Sequence, residues 1–76
     1  MHRLEVQDRV LDLLSTVLQT SVDPTTSTNT LPAWDSLRHI QVIFAVEDAF
    51  NVQFPEEALG ELTSVELLVD ALMDEF

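Results

Sequence analysis

The chain has 76 residues, 46% of them hydrophobic, with fourteen acids, three arginines as its only strong cations, and no cysteine. That length supports one core and one domain spanning residues 1–76, and the apolar content excludes a disordered chain. Absence of cysteine excludes disulfides and thiolate metal sites; a net charge of −11 repels nucleic acid and anionic membranes but attracts basic protein surfaces.

Leu4, Val6, Val10, Leu11, Leu13, Leu14, Val17 and Leu18 recur at helical spacing, with Glu5, Asp8, Arg9 and Asp12 opposite them. This pattern predicts an amphipathic first helix over residues 3–18. Ahead of it, Met1 and His2 open no signal-peptide pattern, and His2 reads as an exposed terminal residue. No apolar stretch reaches the length of a membrane span, so a cytoplasmic protein is expected. Residues 19–33 contain Pro24, Pro32 and the tract Thr25-Thr26-Ser27-Thr28-Asn29-Thr30, a composition that resists helix and predicts a long loop. Val22, Leu31 and Trp34 are its expected anchors on the core.

A second helix is predicted over residues 36–50, capped by Asp35 or Ser36. At 100° per residue, Val42, Ile43, Val46 and Phe50 share an arc assigned to the core. Leu37, Ile40 and Phe44 form a second arc flanked by Gln41, Glu47 and Asp48, available to a partner. Val52-Gln53-Phe54 then reads as a short extended link, and Pro55 opens a brief helical turn over residues 56–61. Thr63-Ser64-Val65-Glu66 fits a capping box with Thr63 as N-cap and Glu66 reaching back. The last helix should reach about Glu75, with Val65, Leu68, Val69, Leu72 and Met73 as its apolar face. The expected fold is all-α: a four-helix bundle of three main helices plus one short helix, with the long loop between the first two.

Trp34-Asp35-Ser36-Leu37 marks the junction of the loop with the second helix. An Asp-Ser pair there can be an ordinary helix cap. His39 lies one turn from Ser36, but no Gly-x-Ser-x-Gly elbow or oxyanion loop accompanies it, which disfavours a hydrolase. A partly buried, hydrogen-bonded role suits His39 better. The acids lack the spacing of a calcium loop, so no metal site is expected.

Taken with Phe50-Asn51-Val52-Gln53-Phe54-Pro55-Glu56-Glu57 and Leu62-Thr63-Ser64-Val65, the Asp-Ser-Leu site resembles that of the acyl carrier protein family over nearly the whole chain. The resemblance implies a non-catalytic carrier, with 4′-phosphopantetheine attached to Ser36 and acyl groups held as thioesters on its thiol. It implies modification by a phosphopantetheinyl transferase that uses coenzyme A. It also implies docking to acyl-loading, condensing or acyl-transfer enzymes that bear basic patches, by a protein acting as a monomer. The recognition surface carried over by position comprises Asp35, Leu37, Ile40, Gln41, Phe44, Glu47 and Asp48, with Glu56 and Glu57 at its edge. His39, Ile43, Val46, Phe50, Leu59, Leu62, Val65 and Leu68 are the residues around which a core could open for an acyl chain. A His39 facing that space would favour short or polar cargo.

Arg38 and Gln41 depart from the family pattern by thinning the acids at the front of the second helix. Trp34 stands near where many fatty-acid carriers have glycine, and the Trp-Asp-Ser-Leu site looks more like carriers of dedicated pathways, such as polyketide or fatty-acid-like synthesis. Two other readings remain. A peptidyl carrier would more often place glycines before the serine. An unmodified acidic adaptor would bind a basic partner through Leu37, Ile40 and Phe44.

Overall fold

Val6, Val10, Leu14 and Leu18 fall four residues apart and line one face of the first helix, where each is at most 3% exposed. In the computed structural model, which describes residues 2–75, that stripe is the centre of an all-helical fold. The helices are α1 (Arg3–Leu18), α2 (Ser36–Phe50), α3 (Glu56–Leu59) and α4 (Val65–Glu75). α1 is the hub, packed against both α2 and α4. From α2 come Val42, Ile43, Val46 and Phe50, and from α4 Val65, Leu68, Val69 and Leu72. Both sets match the expected apolar arcs. Leu4 does not: it is 62% exposed, because it sits two residues, about 200°, from Val6 and turns away from the stripe.

Burial of a Leu or Val contributes roughly 1.5–3 kcal/mol, whereas an exposed ion pair contributes about 0–1 kcal/mol. The apolar stripes therefore hold the bundle, and the Arg3–Asp70 pair between α1 and α4, 2.7 Å long but half-exposed, only trims it. The other arginines serve helix ends. Arg38 donates from Nη1 to the carbonyl of Val17 at 2.9 Å, in the last turn of α1. Arg9 reaches the end of α2, with Nη2 3.3 Å from the Ala49 carbonyl and its guanidinium 4.6 Å from the Phe50 ring centre. Each places positive charge at the negative end of a neighbouring helix, where carbonyls lack intrahelical partners.

α1 and α2 both stop on a left-handed residue, Gln19 and Asn51, each with φ of 55°. The loop that follows α1 is ordered by its own polar side chains. Asp23 accepts from the N–H and hydroxyl of Thr25, bonds that hold its carboxyl below the ordinary range. Thr26, the buried polar residue of the loop, accepts from Asp23 N, and Thr30 Oγ1 accepts from Ser27 N. Trp34 is buried at 2% exposure, and Val22 and Leu31 pack against the core as expected.

Two expectations near the chain's last third are corrected. The short helix spans Glu56–Leu59 rather than residues 56–61, and Pro55 is its N-cap, with extended ψ of 147°. The cap of α4 is Ser64, whose Oγ accepts from Leu67 N at 3.1 Å, instead of Thr63. The displacement has a tertiary cause. Thr28 N donates to Thr63 O and Val65 N to Thr26 O, an antiparallel bridge at Ser27 and Ser64 that holds Thr63 extended. With the cap one residue later, its third helical position is Leu67, and Glu66 is out of register for a reciprocal box.

α3 has four residues and no buried side chain. A hydrogen-bond relay holds its end. Trp34 Nε1–H donates to His39 Nδ1 at 3.0 Å, and His39 Nε2 lies 2.7 Å from the carbonyl of Leu59. Because Nδ1 accepts, the neutral ring carries its proton on Nε2 and donates it to Leu59. One side chain thereby joins the loop, α2 and α3.

His39→Ala strips partners from a buried indole N–H and a carbonyl and should cost about 1–3 kcal/mol in urea unfolding; a loss near zero would remove the relay from the fold's support. With the arginines engaged at helix ends and Asp70, repulsion among the remaining acids is open to screening. The melting temperature should rise from low to moderate salt, where the Debye length shrinks to about 10 Å. A flat salt profile would contradict this.

Candidate functional site

Asp35 is the N-cap of α2, its Oδ1 accepting from Arg38 N at 2.8 Å, and Ser36 is the first helical residue. Ser36 is exposed, and its hydroxyl makes no hydrogen bond among the described residues. The N–H groups of a first helical turn have no acceptor one turn back, so the serine stands at the positive end of the helix. His39 does not activate it. Both ring nitrogens are engaged, by Trp34 and by Leu59, and neither is left to accept a proton from Ser36.

Leu37, Ile40 and Phe44 run down the outer side of α2 at 68%, 53% and 63% exposure, far more than large apolar side chains need on a small domain. Gln41 and Asp48 are exposed beside them, as are Asp35 at the helix start and Glu56 and Glu57 on α3. Glu47 differs from these: it is half-buried, and its Oε2 accepts from Phe54 N at 2.8 Å. That carboxylate positions the link after α2, although its charge still adds to the face. Arg38 points to Val17 instead of across the stripe, so it neutralises little there.

Two hollows share His39 in their lining. An apolar one of about 250 Å³ is bordered by His39, Ile40, Ile43, Phe44 and Leu59, and it exposes only apolar atoms. Of the eight residues expected around an acyl pocket, His39, Ile43 and Leu59 border it. Val46, Phe50, Leu62, Val65 and Leu68 are packed into the core, none more than 6% exposed. Ile40 and Phe44 thus belong both to the exposed stripe and to this hollow. Since the His39 nitrogens are spent elsewhere, the ring adds no free polar group, contrary to the expectation of a more polar pocket. The second hollow, about 420 Å³, contains Ser36 in its lining, together with Thr28, Trp34, Asp35, His39, Gly60 and Thr63. Sequence reasoning did not assign Thr28, Gly60 or Thr63 to the site: Thr28 was read as loop and Thr63 as a helix cap, and loop residues carry no periodicity. The one available signal was Gly60, the sole glycine of the chain.

No described helix is long and apolar enough to cross a membrane. Residues 8–72 match the family described as the phosphopantetheine attachment site. The chain is also similar to an acyl carrier protein of Guillardia theta, 28% identical over 74 residues that cover 92% of this chain and 90% of that protein. With a match over most of its length and a helical bundle presenting an exposed serine at a helix start, this chain belongs to the acyl carrier protein family, whose members bear a covalent 4′-phosphopantetheine group.

Proposed function

We propose that Ser36 carries the 4′-phosphopantetheine arm and that the protein conveys acyl groups among the enzymes of a dedicated biosynthetic pathway. When attached, the arm supplies a terminal thiol that holds an acyl group as a thioester. The observation that carries this reading is the state of Ser36, exposed at the start of α2 with an unengaged hydroxyl. A phosphodiester on that oxygen would meet the unpaired N–H groups and positive dipole end of the helix. Asp35, fixed by its bond to Arg38 N, holds the helix start in one conformation. The serine needs no base of its own, because a phosphopantetheinyl transferase supplies the chemistry and coenzyme A the group.

The stripe of Leu37, Ile40 and Phe44 is the proposed docking face, with Asp35, Gln41, Glu47, Asp48, Glu56 and Glu57 around it. Its partners are acyl-loading, condensing or acyl-transfer enzymes with basic patches, which the net charge of −11 would steer into contact. The apolar hollow is the proposed shelter for cargo. An apolar cavity of about 150 Å³ takes up benzene, so about 250 Å³ suits an acyl chain on the order of six to ten carbons. Its lining supports a short apolar chain and not a polar one.

Incubation with coenzyme A and a promiscuous phosphopantetheinyl transferase should add one arm to the intact mass, and Ser36→Ala should abolish the gain. No gain, or a gain that survives the substitution, would sink the carrier assignment of Ser36 and favour an unmodified adaptor. Chains loaded on the arm should raise the melting temperature as they lengthen to about eight carbons, each buried methylene contributing up to about 0.8 kcal/mol. Stabilisation that continues to climb through long fatty chains would contradict a hollow of this size.

A further inference from the structure

Gly60 is a glycine that its backbone does not require. Its φ of −73° and ψ of −11° lie in the right-handed region open to any residue, and a Cβ built on it would meet nothing within 4 Å. Neither strain nor close packing accounts for it. What the missing side chain leaves is open space in the wall of the hollow that also contains Ser36.

The polar groups of this hollow point the same way. Thr28 and Thr63 both line it, joined through their backbones by the 2.9 Å bond from Thr28 N to Thr63 O. Both are half-buried, yet neither hydroxyl makes a hydrogen bond among the described residues. Each can donate to a carbonyl or accept from an N–H. His39 lines this hollow and also borders the apolar one. A path therefore runs from Ser36, past two free hydroxyls and a vacated side-chain position, to the place proposed for cargo.

A pantetheine arm is a flexible chain with two secondary amides between its phosphate and its thiol. We infer that the hollow beneath Gly60 is a docking groove for that arm, with the hydroxyls of Thr28 and Thr63 bonding its amides. Gly60 keeps the groove open, and the His39 ring, held by Trp34 and Leu59, is the partition the arm passes to deliver its thioester end. This assignment rests on Ser36 as the attachment point. It adds that the arm has a resting place on this protein, between the loop and the segment before α4, rather than hanging free in water.

The test compares apo and phosphopantetheinylated protein by intact mass, amide NMR shifts and the rate of thiol alkylation by a maleimide. The modified protein should shift Thr28, Gly60 and Thr63 in addition to residues 35–39. Gly60→Leu should leave the melting temperature of the apo protein unchanged, abolish the shifts at Thr28 and Thr63, and speed alkylation at least about fivefold, the effect of two lost hydrogen bonds. Should Gly60→Leu fail to fold, the pair Thr28→Val and Thr63→Val should give the same faster alkylation. Full mass conversion with shifts confined to residues 35–39, or with equal alkylation rates in wild type and variants, would overturn the groove alone. No mass gain would overturn the attachment at Ser36 and the groove with it.

Discussion

The arrangement around Ser36 depends on one imidazole. α3 is a single turn of helix that buries no side chain, and a helix that short does not persist by its own hydrogen bonds. It is held beside α2 by His39, which donates to Leu59 O while its other nitrogen accepts from Trp34 Nε1–H, and by Leu59, which packs partly buried against the core. Trp34 is in turn fixed by burial at the end of the long loop. The relay sets the distance between α2 and α3, and with it the shape of both hollows. A side chain that resembles a catalytic base is thus a brace, and the same engagement that braces the fold withholds it from the neighbouring serine.

Charge is organised by a related economy. The sequence carries three arginines against fourteen acids, and the structure turns all three inward or along helix contacts. Arg9 and Arg38 form a reciprocal pair of braces, α1 supplying the end of α2 and α2 the end of α1. The acids are left to face solvent, where their summed field acts on partners over distances that local pairs do not reach. Asp23, Asp35, Glu47 and Asp70 are the engaged ones, and among them Asp35 at the start of α2 and Glu47 at the link after it serve both the fold and the acidic face. Substitutions there would confound docking with folding, whereas Asp48, exposed on the same turn, would not.

The protein separates functions that an enzyme would combine. The serine is presented but not activated, and the apolar stripe of α2 is exposed. What the fold holds in place is a helix start capped by Asp35, a brace at His39 and an exposed apolar stripe on α2.

Helical periodicity made the bundle legible, because each stripe is written into consecutive turns: Val6 to Leu18 on α1, Val42 to Phe50 on α2, Val65 to Leu72 on α4. The exposed arc of Leu37, Ile40 and Phe44, the cap at Asp35 and the place of Ser36 were readable for the same reason, since all follow from positions within one helix. The cap of α4 was not, because a backbone bridge from Ser27, thirty-seven residues away, displaced it from Thr63 to Ser64. Nor was the use of His39, Arg38 and Glu47, whose partners Leu59, Val17 and Phe54 lie on other segments. The sequence by itself determined which faces are apolar, where α1, α2 and α3 begin, and that a serine stands at one of those beginnings. Only the tertiary structure decided which polar groups are spent on one another and which, like the hydroxyls of Thr28, Ser36 and Thr63, are left free. Hydrogen bonds between distant segments have no periodicity, and their partners are chosen only when the chain has closed.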